Sequence, residues 1–222
     1  AGVLVESGKF PWTGAKHPLL TEPSPSYHGV RFTEAFGEFA FLTRARAEVL
    51  RDIGACLSPM NAWLLIQGLE TLPVRMQAHV ENAARIADHL EHHPDVAWIK
   101  YPGSASSEYQ TLVRKYLPLG AGSIFTFGVR GGREAGERFI EALQLWSHLA
   151  NVGDAKSLVI HPASTTHSQL SDAELQGAGI TPDMVRLSVG LEDPEDLIWD
   201  LEHGLKAARA ASRVLPPLAV TT

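Results

Sequence analysis

Cysteine is nearly missing from the sequence, because only Cys56 among the 222 residues carries a thiol. One cysteine cannot form a disulfide within the chain, and it cannot supply the several thiolates of a zinc cluster. Since Cys56 stands between Ala55 and Leu57, we expect it to be a small buried apolar residue. The lack of a disulfide framework favours a cytoplasmic location.

An excess of positive charge and a long apolar run are missing as well. The chain has 19 Lys and Arg against 25 Asp and Glu, a formal net charge of -6, so no sequence-wide basic field attracts nucleic acid or an anionic membrane. No window approaches the roughly 18 uninterrupted apolar residues of a membrane span. We therefore expect neither nucleic acid nor a membrane as a partner of this protein.

The N-terminal stretch predicts a strand, a loop and a helix in turn. Residues 1–6 (AGVLVE) are almost all apolar or small, which predicts a buried strand already under way in a chain cut from a longer one. Residues 7–31 carry four prolines and predict a long loop, of a kind that is often functional or interfacial. From Phe32 the apolar residues recur at helical spacing, which predicts one amphipathic helix ending at Gly54.

A serine–proline pair marks the start of the next helix. Ser58 is a good N-cap, and Pro59 suits the first helical position, where its missing N–H does no harm. The helix that follows is apolar nearly all round, so we expect it to be buried. Pro73 divides it from a second amphipathic helix, which runs to about His93 and is ended by Pro94.

This pair of helices marks the predicted domain boundary. We assign residues 1–72 to a first domain with its connecting helix, and residues 73–213 to a second, C-terminal domain. Residues 214–222 contain two prolines and no charge, and we expect them to form a fraying tail.

After Pro94 short apolar runs alternate with helical patterns. Predicted strands cover 96–101, 123–129, 157–162 and 185–191. Predicted helices cover about 108–116, 133–147 and 171–177, with a last helix from Pro194. Ser171 and Glu174 form a capping-box pattern at the third helix. The alternation predicts an α/β chain whose C-terminal domain is of the α+β kind, a small mixed sheet covered by helices.

Arg186 is the sharpest candidate for a binding residue. In the strand VRLSVGL the apolar residues Val185, Leu187 and Val189 share one face, and Arg186 lies on the other face beside Ser188 and a glycine. A guanidinium with free space around it matches the planar carboxylate of an amino acid. From the spacing alone, an exposed arginine paired with a surface acid is the commoner arrangement.

The loop 161–168 (HPASTTHS) is a second candidate. It combines small and hydroxylic side chains with two imidazoles, and such a loop can offer hydrogen-bonding groups to a polar ligand. Ordinary turn chemistry is the commoner reason for this composition. His161 and His167 are six residues apart without a helical setting, so we do not expect them to form a metal pair.

Three histidines near the end of a predicted helix raise the question of a metal site. His89, His92 and His93 share one helical face, with the i, i+3 and i+4 spacing that zinc could use. However, they occupy the final turn, where the helix dipole and free carbonyl groups favour histidine. We therefore expect a solvated helix end and no metal.

Five segments resemble, in order, one family of pyridoxal-phosphate (PLP) enzymes. They are 6–12 (ESGKFPW), 31–41 (RFTEAFGEFAF), 56–79 (CLSPMNAWLLIQGLETLPVRMQAH), 151–170 (NVGDAKSLVIHPASTTHSQL) and 185–205 (VRLSVGLEDPEDLIWDLEHGL). The family is that of the Cys/Met-metabolism or trans-sulfuration enzymes, which includes cystathionine γ-synthase, methionine γ-lyase and O-acetylhomoserine sulfhydrylase. The first and fourth segments are most similar to the sulfhydrylase branch.

The resemblance implies a fold and a set of site residues. The fold is the C-terminal part of a fold-type I PLP-dependent transferase, made of the end of the large PLP domain and the small C-terminal domain. By resemblance, Arg186 holds the substrate α-carboxylate and Thr166 lines the PLP and substrate site. Asn151 and Ser157 match positions on a segment that faces the substrate. The family also implies a homotetramer of tight dimers.

The family's Schiff-base lysine has no counterpart here. That lysine stands in an S-x-T-K type of context, and none of the six lysines of this chain has it. The resemblance therefore places the lysine upstream of Ala1, in an N-terminal half that would bind PLP covalently. We assign no catalytic and no cofactor-binding residue in this segment, and we expect the chain to be inactive alone.

The implied reaction of the parent enzyme is γ-replacement. Sulfide would replace the acetate of O-acetyl-L-homoserine to give homocysteine, a step of methionine biosynthesis. Two alternatives stay open. One is cystathionine γ-synthase or methionine γ-lyase type activity, and the other is a non-catalytic partner module that keeps the interfaces of its ancestor.

Overall fold

The structure, a computed structural model, describes residues 2–212, with the backbone alone for residues 211 and 212. The chain divides into two compact units, Ala1–Glu70 and Thr71–Thr222, and each is described by itself. Within residues 2–212 no helix combines the length and the apolar character that crossing a bilayer requires. The tail predicted at 214–222 lies outside the described residues.

The first unit begins with an extended segment instead of the strand predicted at 1–6. Residues 2–6 belong to no β-ladder, and Val3, Leu4 and Val5 are 77%, 65% and 84% exposed. The prediction is wrong because a strand needs a neighbour for its backbone N–H and C=O groups. Among its described residues this unit offers only one isolated bridge, between Ser24 and Val30.

The loop predicted at 7–31 is confirmed, with two short helical turns inside it. These are α1 (Pro18–Thr21) and a 3-10 turn (Pro25–Tyr27). The Trp12 indole donates a hydrogen bond of 2.8 Å to Glu6 and stacks on Phe41, with ring centroids 5.4 Å apart. These contacts fold the loop around the small core of this unit, which consists of the buried residues Leu20, Phe32 and Ala40.

The single helix predicted from Phe32 to Gly54 is interrupted. It comprises α2 (Phe32–Phe36), a 3-10 turn (Gly37–Phe39), α3 (Ala40–Arg44), a π-helical turn (Ala45–Leu50) and α4 (Arg51–Ile53). The first break falls at Gly37, whose φ of 53° is a left-handed value that glycine adopts readily. The predicted end is confirmed, because Gly54 terminates the last turn with φ 72°.

Helix α5 (Pro59–Glu70) begins at the predicted serine–proline pair. The Ser58 hydroxyl accepts the Asn61 N–H at 3.2 Å. The predicted burial of this helix is wrong, because six large apolar side chains on it are 41–64% exposed. We call this group the α5 apolar surface: Met60, Trp63, Leu64, Leu65, Ile66 and Leu69.

Cys56 lies in the loop before α5 and is exposed. The prediction of a buried cysteine is therefore wrong. Its two apolar neighbours in sequence do not bury it, because residues 54–58 are all exposed.

The second unit opens with α6 (Leu72–Glu91), which carries Pro73 in its first turn. The predicted division between the two helices is confirmed, and the break falls at Thr71. One face of α6 packs into the core through residues at helical spacing. The buried residues of that face are His79, Ala83, Ile86, Ala87 and Leu90.

A mixed sheet forms the centre of the second unit, as predicted, and it has five strands where four were predicted. The strand order is β1 (Val96–Lys100), β2 (Ile124–Val129), β5 (Met184–Ser188), β4 (Leu158–Ile160) and β3 (Ser147–His148). All pairs are antiparallel except β3 with β4. Sequence patterns missed β3, since two residues are too few to show a period.

Helices cover the core face of this sheet. The remaining helices are α7 (Gln110–Tyr116), α8 (Gly132–Ala142), α9 (Asp172–Gly177) and α10 (Pro194–Ser212). The predicted capping box of α9 is present, with Ser171 and Glu174 bonded reciprocally. On α10, Leu197, Leu201, Leu205 and Ala208 lie on one helical face and are fully buried.

Helix α8 is shorter than the predicted 133–147. The chain turns extended at Leu143, and the buried carboxylate of Asp200 accepts the backbone N–H groups of residues 144–146 at 2.7–3.1 Å. Because Asp200 comes from α10, this helix stop was not visible in the local sequence.

Candidate functional site

The strand β5 separates its side chains between two environments, as predicted. Val185, Leu187 and Val189 are 0% exposed and belong to the core. Arg186 lies on the other face of the sheet, opposite Thr126 of β2 and Ile160 of β4. This second face therefore presents one cation from the middle strand of the sheet.

The guanidinium of Arg186 has few hydrogen-bond and ion-pair partners among the described residues. Its Nη2 lies 3.5 Å from the carbonyl oxygen of Asn151, which is the outer limit of a hydrogen bond. Among residues 2–212 no carboxylate forms an ion pair with it. Most of its five donors therefore remain available to an anion such as a carboxylate.

Ser188 lies beside Arg186 on the same face. Its hydroxyl is buried and has no hydrogen-bond partner among the described residues. A buried polar group without a partner is unfavourable, so this side of the sheet carries a second polar group that the described chain leaves unsatisfied.

Asn151 approaches Arg186 through its backbone. Its exposed side chain turns back on its own segment, accepting the Val152 N–H at 2.8 Å and donating to Asp154 at 3.1 Å. Asp154 also accepts the backbone N–H of Lys156. This hydrogen bond, together with the one from the Asn151 side chain, lowers the pKa of the Asp154 carboxyl group. Residues 151–156 thus form a compact polar turn next to the guanidinium.

Ser157 is fully buried at the end of that turn. Its hydroxyl donates to Glu192 at 2.8 Å and accepts the Gly190 N–H at 2.8 Å. The structure therefore brings Ser157 close to the end of β5, with its hydroxyl already bonded on both sides.

The loop 161–168 is held by His161. The buried His161 ring donates from Nε2 to the Pro182 carbonyl oxygen at 2.7 Å, and its Nδ1 accepts the Ser164 hydroxyl at 2.8 Å. There is no space beside the ring, because a Cβ on Gly136 would lie 2.7 Å from it. Burial lowers the pKa of His161 from its ordinary value of 6.5.

Thr166 sits at the exposed tip of this loop. Its hydroxyl bonds to Nδ1 of His167 at 2.9 Å. Among the described residues, no direct hydrogen bond joins Thr166 to Arg186, Asn151 or Ser157. The structure therefore brings Asn151 to Arg186, and leaves Thr166 on a separate loop.

The three helix-end histidines have protein partners. His89 and His93 both lie near Glu202 of α10, at 2.8 and 3.3 Å, and His92 bonds to the Asp88 carbonyl oxygen at 2.8 Å. The expectation of a solvated end fits His92 but not His93, whose side chain is only 9% exposed. Within residues 2–212 no group of His, Cys, Asp or Glu is arranged to hold a metal ion.

None of the residues that fix Ser157 and the end of β5 stands out in the sequence. Glu192, Asn82 and His79 all bond to this region. The sequence signal for Glu192 is an acidic residue just after a strand, which is too common to be informative. Its partner lies 35 residues away, so only the fold reveals the pair.

The described residues do not fit a PLP-binding site by themselves. All six lysines are exposed, and none stands in the sequence context of a Schiff-base lysine. A lysine that acts as a nucleophile in such a site is normally desolvated or placed beside another cation. The arrangement can hold a carboxylate, and no chemical step follows from it alone.

Known proteins match the chain over most of its length. The family model described as Cys/Met metabolism PLP-dependent enzyme matches residues 15–206. O-acetyl-L-homoserine sulfhydrylase 1 of Thermus thermophilus is 53% identical over 92% of this chain and 49% of its own. O-acetyl-L-homoserine sulfhydrylase of Leptospira meyeri is 48% identical over 92% and 48%. The chain thus spans about half the length of the curated relatives it matches.

A solved structure also matches the chain. The crystal structure of a Campylobacter jejuni protein described as an O-acetylhomoserine (thiol)-lyase matches with a TM-score of 0.77 and 46% identity. The match covers 85% of this chain and 45% of that one. That protein contains N'-pyridoxyl-lysine-5'-monophosphate.

Proposed function

Because the chain belongs to the family of Cys/Met metabolism PLP-dependent enzymes, we propose that it is the C-terminal part of an O-acetylhomoserine sulfhydrylase. The proposed reaction replaces the acetate of O-acetyl-L-homoserine with sulfide and yields homocysteine. The names of the Thermus and Leptospira relatives support this choice of substrate within the family.

The observation that carries the proposal is the guanidinium of Arg186 on the middle strand, for which residues 2–212 supply no carboxylate partner. We propose that Arg186 binds the α-carboxylate of the amino-acid substrate through a two-pronged hydrogen bond. Its role is positioning, because a fixed carboxylate sets the orientation of the reacting carbon atoms. A side chain on a central strand is held more precisely than one on a loop.

The other site residues take supporting roles in this proposal. The Asn151 carbonyl lies next to the guanidinium and restricts its orientation. Thr166, at the tip of the loop that His161 holds, offers its hydroxyl to the cofactor or substrate. Ser157 belongs to the same segment as Asn151, and its own contacts point inward to Glu192.

We place the cofactor chemistry outside this chain. PLP supplies an electron sink in such enzymes, and the residues described here do not fit it. The proposal therefore assigns the Schiff-base lysine and the phosphate-binding groups to an N-terminal part of the same enzyme. Support comes from the half-length coverage of the relatives, which leaves room for such a part.

The α5 apolar surface supports the same assignment. Large exposed apolar areas commonly mark surfaces that another protein part covers. We propose that the N-terminal part, or a second subunit of a homotetramer, covers Trp63, Leu64 and their neighbours. The proposed enzyme works in the cytoplasm, in agreement with the single cysteine and with the family's role in amino-acid metabolism.

The test is the substitution Arg186→Ala in the full-length PLP-loaded enzyme. Loss of a charge-assisted hydrogen bond should raise the KM for O-acetyl-L-homoserine roughly 10- to 150-fold. The absorbance of bound PLP should stay unchanged. Arg138→Ala is the matched control, because that arginine is exposed and its ion-pair partner in the described part of the chain is Glu141 on its own helix.

Two results would contradict the proposal. If Arg186→Ala leaves KM unchanged while Arg138→Ala also has no effect, Arg186 does not hold the substrate. If the unsubstituted enzyme makes no homocysteine from sulfide, the reaction is misassigned. Parallel assays with cysteine or with water as the acceptor then distinguish cystathionine synthesis from elimination, and no turnover at all would favour the non-catalytic module.

A further inference from the structure

The carboxylate of Glu192 fixes the segment beside Arg186. Both oxygens of Glu192 accept the backbone N–H of Ser157, at 2.9 and 3.1 Å. One of them also accepts the Ser157 hydroxyl at 2.8 Å. Three contacts from one residue to one carboxylate define a specific geometry, and hydrogen bonds to a charged group are stronger than neutral ones.

Ser157 and Ala155 also contact the residues at the end of β5. The Ser157 hydroxyl accepts the Gly190 N–H at 2.8 Å, and the Ala155 carbonyl accepts the Leu191 N–H at 2.9 Å. Gly190 has no space for a side chain, because a Cβ there would lie 2.5 Å from Ala155 O and from the Glu192 carboxylate. The two segments are therefore in direct backbone contact.

Helix α6 supports this region from the core side. The Asn82 amide donates to the carbonyl oxygens of Gly190 and Glu192 at 3.2 and 3.0 Å. The buried His79 ring bonds to the Val189 carbonyl oxygen at 2.6 Å. The end of β5 is thus fixed to α6, so Glu192 connects the 151–157 segment to a rigid part of the unit.

The segment itself has few other attachments. Residues 151–156 are exposed or partly exposed, Val152 to 70%, and their internal hydrogen bonds form one local turn. Apart from the contacts of Ser157, two contacts among the described residues link this segment to β5 and to the residues that follow it. The Leu191 N–H donates to the Ala155 carbonyl oxygen, and the Asn151 carbonyl oxygen lies beside Arg186. At the end of the segment the Ser157 carbonyl oxygen also accepts the Ser147 N–H at 3.0 Å. Glu192 adds the three side-chain hydrogen bonds to Ser157, and the placement of the segment beside the guanidinium depends in large part on them.

We propose that Glu192 is a positioning residue, which holds the 151–157 segment so that the Asn151 carbonyl orients the guanidinium of Arg186. The effect on substrate rests on the proposed function, whereas the effect on the segment does not. Ser157 acts in this scheme through Glu192 and Gly190, and not by touching the substrate.

The first experiment uses the 222-residue chain and needs no activity. Hydrogen–deuterium exchange is measured by mass spectrometry for Glu192→Gln and for the control Glu195→Gln, three residues further on and paired with Arg85 at the surface. In Glu192→Gln, exchange of the amides of 151–157 should rise at least about tenfold, the factor for losing one charge-assisted hydrogen bond. Exchange in β2 and α10 should stay unchanged, and Glu195→Gln should resemble the parent chain.

Unchanged exchange at 151–157 in Glu192→Gln overturns the proposal, and so does an increase spread evenly over the whole second unit. The double substitution Ser157→Ala with Glu192→Gln adds a check. If the two residues act as one contact, the double variant should exchange at 151–157 no faster than about twofold above the faster single variant.

The second experiment uses the full-length PLP-loaded enzyme. Glu192→Gln should raise the KM for the carboxylate-bearing substrate about tenfold while kcat changes less than about threefold, because binding orientation is lost and the reacting groups are intact. A fall in kcat with an unchanged KM overturns the link to Arg186. If exchange rises as predicted but the enzyme does not process O-acetyl-L-homoserine, then the proposed function fails while the positioning of the segment stands.

Discussion

The two units of the chain differ in how far they bury their apolar residues. Counted over residues 2–212, the main core cluster of the second unit contains 21 buried residues drawn from helices and sheet, whereas that of the first contains three. The first unit exposes the α5 apolar surface and Val3 to Val5 instead. Burial of apolar area is the main favourable term in folding. The second unit therefore carries its own source of stability, whereas the described residues of the first unit bury little apolar area among themselves.

The largest expected effect tests this contrast directly. Leu201→Ala removes a fully buried side chain of α10 and should lower the free energy of unfolding by about 2–5 kcal/mol. The matched Leu64→Ala changes a side chain that is 55% exposed on α5, and should cost less than about 0.5 kcal/mol. Urea denaturation of the 222-residue chain measures both. Equal losses would mean that the two units do not differ in the way described.

A smaller effect concerns pH and sharpens the description of the second unit. Burial lowers the pKa of His161 in the folded state below the ordinary 6.5 of an unfolded histidine. Between these two values the unfolded chain binds a proton that the folded chain does not bind, so stability is present above about pH 6.5 and is lost as the pH falls. The limiting slope is about 1.4 kcal/mol per pH unit for one proton.

The measurement is the unfolding free energy of the chain from about pH 7.5 to about pH 5.5, which is roughly one unit on either side of the ordinary histidine pKa. His161→Gln removes the titrating group, and its curve should be flatter than that of the parent chain. His92→Gln is the control, because the His92 side chain is 76% exposed. If His161→Gln and the parent chain show the same slope, the buried imidazole is not the source of the acid sensitivity.

The smallest effect belongs to the first unit. Since Cys56 is exposed in the loop before α5, Cys56→Ser should change the free energy of unfolding by less than about 0.5 kcal/mol. In the native 222-residue chain, a thiol reagent should modify Cys56 within about tenfold of its rate in urea. A thiol that reacts only after unfolding would show that the loop is covered, and the contrast between the units would then be weaker than described.

Local periodicity predicted most of the second unit. The apolar face of β5, the capping box at Ser171 and the short apolar runs that form the strands are all properties of neighbouring residues. Arg186 stood out for the same reason, as the one charge in an alternating strand. These features depend on local geometry, which a sequence states directly.

The wrong predictions share a different physical origin. Burial of residues 1–6, of α5 and of Cys56 was inferred from apolar character, but burial also requires a second surface. The break at Gly37 required a positive φ, which the sequence permits without dictating. The Ser157–Glu192 contact joins residues 35 apart, and α8 ends early because of Asp200 on another helix. Each of these depends on where distant segments meet.

The position of β5 in the middle of the sheet has a consequence for how such a site can diverge. The Arg186 backbone is bonded to a strand on each side, so its Cα cannot move without opening two ladders. If Arg186 binds the substrate as proposed, a longer or shorter acid would be accommodated by the rotamers of the arginine and by the 151–156 turn. Insertions and substitutions accumulate readily in exposed turns. In the proposed site, a few substitutions in this turn would therefore alter the substrate range without disturbing the strand that carries the cation.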